Sequence, residues 1–168
     1  RMNIAEDALV YRVERTKEAT PANAPILYQY GAFGKRLGKY DQVDQLFRHR
    51  RATVSLGYIG LYEVTKLMKG VSHTDPVGEE FALRVMNHMK EAADRWRDET
   101  NIGFSLYGTP AESLCYRFAR IDLEKFGEIK DITDKGYYTN SYHALLVLHF
   151  EDGTVYMEET PVDSNATV

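Results

Sequence analysis

Apolar and polar residues along this chain repeat with the period of helices over most of its length and with the period of strands in two places. Apolar positions spaced by three and four predict a long helix over residues 76–98, which Asp75 caps at its N-terminus and whose buried face carries Val77, Phe81, Val85, Met89, Ala92 and Trp96. Alternation of apolar and polar residues predicts strands over 53–58 and 102–107. Shorter helices are expected over 4–18, 41–48, 60–70 and 110–121, and the helix over 60–70 is expected to carry Leu61, Val64, Thr65 and Met68 on one face.

From residue 53 onward the predicted elements alternate between strand and helix. Such alternation implies parallel strands with helices packed over them. Ligands in sheets of this kind bind beyond the carboxyl ends of the strands. The sequence therefore predicts an α/β fold in which Tyr58 and Thr109 both lie at the edge where a ligand binds.

The junction between the second strand and the last helix carries a helix-start motif. Thr109, Pro110 and Glu112 fall at the N-cap, first and third helical positions, the pattern of a capping box with proline at its favoured place. The unpaired N–H groups and the dipole of a helix start favour an anion beyond the end of the strand. The same motif is a common helix start, so a capping role for Glu112 and nothing more is the alternative.

Composition limits the classes of function more than it identifies one. The 168 residues are 43% apolar and 27% charged, with a formal net charge of −4, which suits one globular domain. No apolar run approaches the about 20 residues of a membrane span, and no signal sequence is recognised, so we expect a cytoplasmic protein that does not enter a membrane. A single cysteine excludes an internal disulfide and a Cys-x-x-Cys site, and no metal site is expected.

Five short motifs occur in one order along the first 143 residues. They are Ala-Pro-Ile-Leu-Tyr at 24–28, Tyr-Gly-Ala-Phe-Gly at 30–34, Arg-Ala-Thr-Val-Ser-Leu-Gly-Tyr-Ile-Gly-Leu-Tyr-Glu at 51–63, Tyr-Gly-Thr-Pro-Ala-Glu-Ser-Leu-Cys at 107–115 and Thr-Asp-Lys-Gly-Tyr-Tyr-Thr-Asn-Ser-Tyr-His at 133–143. Together they resemble the anaerobic (class III) ribonucleoside-triphosphate reductases, a family of oxygen-sensitive glycyl-radical enzymes. The set of motifs is far more specific than any one of them.

The resemblance implies that residues 1–143 are a segment of the reductase catalytic subunit, folded as part of an α/β barrel. The family reduces the ribose of a ribonucleoside triphosphate to the deoxyribonucleotide by radical chemistry. Its radical cysteine precedes the matched stretch, and its zinc site and radical glycine follow it. The resemblance therefore implies that this segment binds no cofactor itself and is inactive alone.

The resemblance also implies partners. The missing segments of the same reductase would complete the barrel, and a second identical subunit would form a homodimer. An activating enzyme that uses S-adenosylmethionine and an iron–sulfur cluster would generate the glycyl radical, and formate would serve as reductant. The substrate would be a ribonucleoside triphosphate.

Glu112 is the catalytic residue that the resemblance suggests, because the matching glutamate of the family lies near the reacting ribose. In that role its carboxylate exchanges protons with the 2′ or 3′ hydroxyl group. The capping role competes with this one. A carboxylate that accepts hydrogen bonds from backbone N–H groups has a lowered pKa and is a poor proton donor.

The substrate phosphates are expected at the start of the last helix. The backbone N–H groups of Ala111, Glu112 and Ser113, with the hydroxyl groups of Thr109 and Ser113, provide donors without a lysine. Gly108 permits close approach of the backbone to a ligand.

Three further residues have a functional and a structural interpretation. Tyr58 stands between glycines, which indicates either a ring beside the ligand or tight packing of strand on helix. Cys115 lies in an apolar turn and is more typical of a core residue than of a nucleophile. His143 belongs to a family motif, although a hydrogen-bonded structural role suits it as well.

Residues 144–168 depart from the family pattern. Apolar stretches over 144–150 and 154–158, joined by Asp152-Gly153, predict a β-hairpin. A split gene, a truncation and an inserted element such as an intein are all compatible with this departure. The alternative to a reductase segment is therefore a non-catalytic remnant or split-gene fragment that acts as a nucleotide- or subunit-binding module.

Overall fold

The computed structural model of the chain describes residues 1–48, 50–110 and 112–140. These residues form two compact units, one of Arg1–Leu56 with His88–Tyr107 and one of Gly57–Asn87 with the residues from Gly108 onward. The predicted hairpin over 144–158 and His143 lie outside the described residues, so the hairpin stays a prediction.

The first unit opens with helical segments. Helix α1 spans Met2–Arg15 and passes into a 3₁₀ turn at Thr16–Glu18, so the helix predicted over 4–18 is confirmed. The apolar run after residue 25 forms the short helix α2, Pro25–Tyr28. The brief helix predicted over 41–48 is a 3₁₀ turn at Val43–Leu46.

Two parallel strands form the sheet. Strand β1 spans Thr53–Tyr58 and strand β2 spans Gly103–Gly108, each within one residue of its predicted bounds. The expected partial barrel is not confirmed, because the described residues contain only this two-stranded sheet and no closed barrel. A closed barrel requires every strand to be paired on both edges, which a two-stranded sheet does not provide.

The core of the first unit forms around one tryptophan. Trp96 is fully buried, and its ring meets that of Phe104 edge-on at a centroid distance of 5.6 Å. Val13 of α1 and Ile102 complete the same cluster, so α1 packs over the sheet and the end of the long helix. Burial of large apolar side chains of this kind is the main stabilising contribution to a small unit.

The long helix α4 spans Pro76–Thr100, close to its predicted bounds. Asp75 caps it as expected, because its Oδ1 accepts the N–H of Val77 at 3.0 Å. The predicted apolar face is wrong at Val77, which is 58% exposed. The residues that are buried instead at this end are Ala82 and Met86. Apolar residues lie on more than one side of this helix, so the period alone does not decide which side is covered.

Helix α3 in the second unit spans Leu61–Lys69 between Gly60 and Gly70, both in the left-handed conformation, and its bounds match the prediction. Its predicted face is only partly right. Val64 and Met68 are exposed, whereas Glu63 is buried. A buried carboxylate needs polar partners, so the packing of this helix is set by hydrogen bonds as well as by apolar contact.

The last described helix, α5, spans Glu112–Phe126 and therefore begins and ends later than predicted. Within the residues that the structure describes, every helix is too short or too polar to cross a lipid bilayer.

Candidate functional site

The carboxyl ends of the two strands are joined directly. The N–H of Thr109 donates a hydrogen bond of 3.1 Å to the carbonyl oxygen of Tyr58. Thr109 therefore extends the strand pairing one residue beyond the end of β2. The prediction that Tyr58 and Thr109 lie at one edge of the sheet is confirmed.

Helix α5 is described from Glu112 onward, and Pro110 lies outside it. The capping-box prediction, which placed the helix start at Pro110, is therefore wrong on this point. The N–H of Thr109 is engaged by β1, so the donor that a capping box reserves for the glutamate side chain is already used. Ala111 and the side chain of Glu112 lie outside the part of the chain that the structure describes.

The side chain of Tyr58 is half-buried, and burial raises the pKa of its phenol to about 12. The hydroxyl group is therefore protonated at neutral pH and available as a hydrogen-bond donor. Gly57 before it is exposed, so a ligand has access to the backbone at this point. Ser113, in the first turn of α5, is exposed too.

A third chain segment lies at the same edge. The N–H of Gly60, two residues past the end of β1, donates to the carbonyl oxygen of Thr139 at 2.7 Å. Tyr138 is attached to α5, because its N–H donates to the carbonyl oxygen of Cys115 at 3.3 Å. The segment 138–139 therefore connects the start of α3 with the first part of α5.

The side chain of Glu63 binds residues 138–139 through Thr139. This side chain is only 4% exposed, and its carboxylate accepts the N–H of Thr139 at 3.1 and 3.2 Å and the hydroxyl group of Thr139 at 2.6 Å. The ammonium group of Lys135 lies 2.5 Å from the same carboxylate. We call Glu63, Lys135 and Thr139 the Glu63 clasp.

We did not predict the Glu63 clasp from the sequence. A usable indication was present, since Glu63 stands in the first turn of a short apolar helix, directly after the left-handed Gly60. Its partners are distant in sequence, and no local period connects α3 with residues 135–139.

Tyr138 has an electrostatic link to α5 in addition. Its hydroxyl group donates to Oδ2 of Asp122 at 2.7 Å. Burial, this hydrogen bond and the negative charges of Asp122 and Glu63 all raise the pKa of Tyr138. The phenol is thus neutral under physiological conditions and keeps its donor role.

The remaining candidates occupy different environments. Cys115 is 2% exposed, which favours its interpretation as a core residue. Gly108 ends β2. The described residues contain no group of three or more metal-ligating side chains, and we assign no metal chemistry to them.

Two parallel strands and a helix that follows the second strand define a mixed α/β arrangement, with polar groups at the shared carboxyl edge. The sequence comparisons specify the family. The profile of the anaerobic ribonucleoside-triphosphate reductase family matches residues 1–150. The chain belongs to this family.

Individual relatives agree with the family match. The anaerobic ribonucleoside-triphosphate reductase of Haemophilus influenzae is 47% identical over 145 residues, which cover 85% of this chain and 20% of the relative. The reductase of enterobacteria phage T4 is 45% identical over 143 residues, 85% of this chain and 22% of the relative. That of Escherichia coli K12 is 43% identical over 145 residues, again 85% of this chain and 20% of the relative. The chain thus spans about a fifth of the length of the relatives it matches.

Proposed function

We propose that this chain is part of the catalytic subunit of an anaerobic ribonucleoside-triphosphate reductase and contributes one side of its nucleotide site. The observation that carries the proposal is the family match over residues 1–150. The assembled enzyme reduces a ribonucleoside triphosphate to the deoxyribonucleotide by glycyl-radical chemistry and so supplies precursors for DNA replication.

The chain is inactive alone under this proposal and acts when joined to the remaining segments of the reductase. The partners are an activating enzyme with S-adenosylmethionine and an iron–sulfur cluster, formate as reductant, and a second subunit in a homodimer. The assembled enzyme works in the cytoplasm.

The phosphates bind where β2 passes into α5. Support comes from the early N–H groups of α5, which have no partner within the helix because the first four N–H groups of any helix lack one. Ala111, Glu112 and Ser113 provide these groups, Thr109 and Ser113 add hydroxyl groups, and Gly108 allows close approach. The exposure of Ser113 is compatible with this role.

Tyr58 borders the same site. Its neutral phenol donates a hydrogen bond to the substrate and adds no negative charge near the phosphates. The hydrogen bond from Thr109 to Tyr58 supports this role, because it keeps Tyr58 next to the residue that follows β2.

Glu112 acts on the ribose. As the first residue of α5 it stands beside the phosphate site, and its carboxylate exchanges a proton with a ribose hydroxyl group. A helix start that also binds phosphate places competing demands on this carboxylate, since nearby negative charge raises its pKa whereas N–H donors lower it.

A chimeric enzyme tests the proposal. Residues 1–143 of this chain replace the corresponding segment of the Haemophilus influenzae reductase, and the product is assayed anaerobically for deoxynucleotide formation with activating enzyme, S-adenosylmethionine and formate. Each of the four ribonucleoside triphosphates is tested separately. We expect turnover with at least one of them.

Matched variants of α5 show whether the residues of this chain carry the chemistry. Glu112→Gln keeps the size of the side chain and removes its proton transfer, so turnover falls by about 100-fold or more. Glu124→Gln is the control, because Glu124 is exposed on the same helix and forms a solvent-exposed ion pair with Arg120 at 3.1 Å. A chimera that folds and binds nucleotide without turnover contradicts the proposal and favours a non-catalytic binding module.

A further inference from the structure

We propose that Glu63 is a positioning residue of the nucleotide site, because the Glu63 clasp fixes the segment 138–140 as a third wall beside Tyr58 and Thr109. This inference rests on the proposed function. Glu63 acts through Thr139 and does not itself contact the substrate.

The burial of Glu63 makes the clasp obligatory. A carboxylate whose side chain is 4% exposed is costly unless donors and an opposite charge surround it. Thr139 provides two donors and Lys135 provides both a donor and the charge. The packing of α3 therefore favours a placement of residues 135–139 that brings these donors to Glu63.

The clasp lies at the carboxyl edge of the strands. The carbonyl oxygen of Thr139 accepts a hydrogen bond of 2.7 Å from the N–H of Gly60, at the start of α3. Gly60 is left-handed, with φ of 76°, a backbone conformation that favours glycine. A Cβ atom at Gly60 would make only ordinary contacts, 3.8 Å from the Tyr138 ring and 3.7 Å from Oε2 of Glu63.

Residues 138–139 are also attached to α5, the helix at whose start we propose that the phosphates bind. Tyr138 donates its N–H to Cys115 and its hydroxyl group to Asp122, both on α5. A displacement of Thr139 therefore acts on the helix that begins at Glu112. Shifts of about 1 Å in groups that position a substrate cost about 100-fold in rate.

Charge provides a second reason for the arrangement. A single negative charge close to a triphosphate would repel it, and Lys135 neutralises Glu63. The ammonium group of Lys135 also lies 4.5 Å from the ring centroid of Tyr62 and 5.4 Å from that of Tyr137. These cation–π contacts help to hold the ammonium group of Lys135 beside Glu63.

Variants at Thr139 test the inference while the N–H of Thr139 and the ammonium group of Lys135 remain as donors to Glu63. In the chimeric reductase, Thr139→Val removes the hydroxyl donor at nearly constant volume, whereas Thr139→Ser retains it. We expect Thr139→Val to raise KM for the ribonucleoside triphosphate by about tenfold and Thr139→Ser to restore most of the affinity. Glu63→Gln places an amide N–H₂ group against the donors of Thr139 and Lys135. We expect it to raise KM at least as much as Thr139→Val does.

The outcomes separate the two proposals. A wild-type chimera without turnover overturns the proposed function and this inference together. An active chimera in which Thr139→Val and Glu63→Gln leave KM unchanged overturns the inference alone, and so does a loss of melting temperature and kcat without a change in KM. If Glu63→Gln does not fold, the Thr139→Val and Thr139→Ser pair decides by itself. Glu124→Gln is again the control.

Discussion

The N–H of Thr109 donates to the carbonyl oxygen of Tyr58 at 3.1 Å and joins the ends of two strands that are far apart in sequence. This bond places the residue that follows β2 next to the last residue of β1. The start of α5 then follows within three residues. The edge at which we propose nucleotide binding is therefore built from backbone contacts before any ligand arrives.

Ser113→Asp tests the phosphate site. The new carboxylate lies in the first turn of α5 and repels a triphosphate, so KM in the chimeric reductase should rise by about tenfold or more, equivalent to ~1.4 kcal/mol. Ser113→Asn is the matched control, because it has almost the same size as Asp without the charge. Equal KM values for the two variants would place the phosphates elsewhere.

We expect the free energy of unfolding to depend on pH through the phenol of Tyr58. Its pKa is about 10 when unfolded and is raised to about 12 by burial, so the folded state retains the proton over a range in which the unfolded state has lost it. This contribution is complete below pH 10 and is lost as the pH rises towards 12. After allowance for partial exposure, we expect a loss of about 1 kcal/mol at pH 11.

Urea denaturation of the chain at pH 9 and pH 11 measures this effect. Tyr58→Phe should remove the part of the pH dependence that belongs to Tyr58. Tyr40→Phe is the control, since Tyr40 is 89% exposed and should leave the pH dependence as it is. A Tyr58→Phe variant with the same loss at pH 11 would show that other groups cause it.

We expect Gly78→Ala to destabilise the protein, although replacing a glycine by alanine in a helix usually stabilises it. Alanine in a helix interior is normally favoured by about 0.5–1 kcal/mol. Here the added Cβ atom would overlap the carbonyl oxygen of Ser72 and lie 2.8 Å from its carbon. We expect a loss of about 2–3 kcal/mol in the free energy of unfolding, measured by chemical denaturation.

Gly38→Ala is the control for this substitution. A methyl group there meets Oδ2 of Asp41 at 3.6 Å, an ordinary contact. Its effect should stay within about 0.5 kcal/mol. A stabilised Gly78→Ala variant would mean that α4 begins farther from Ser72 than the structure has it.

Trp96 should dominate the stability of the first unit. It is 0% exposed, and among the described residues its Nε1 has no hydrogen-bond partner. Trp96→Ala should cost about 3–5 kcal/mol by cavity formation. Trp96→Phe should cost less, because it also removes a buried polar group without a partner. Circular dichroism during denaturation measures both, with Ile4→Ala at a 71% exposed position as the control.

Local periods predicted the elements of this fold well. Strand β1, helix α3 and helix α4 lie close to their predicted bounds, because alternation, glycine C-caps and the Asp75 cap are local features. The prediction was poorer for which side of each helix is buried. Val77 and Met68 are exposed although the period placed them inside, since only the neighbouring elements decide which side is covered.

The candidate site was predicted in part. Tyr58 and Thr109 lie together as expected, whereas the last helix does not include Pro110, where its start was predicted. The third wall, with Glu63 and Thr139, was not foreseen. Its hydrogen bonds connect residues about 75 positions apart, and such a pairing has no local pattern in one sequence.

The sequence by itself determined the family, the order of strands and helices and the residues that punctuate them, because these depend on motifs and short-range backbone preferences. The tertiary structure alone decided that a carboxylate on a short apolar helix is buried against Thr139 and Lys135. The physical reason is that a buried charge is stable only where the fold brings distant donors to it. That requirement gives the segment 138–140 its place at the edge of the sheet.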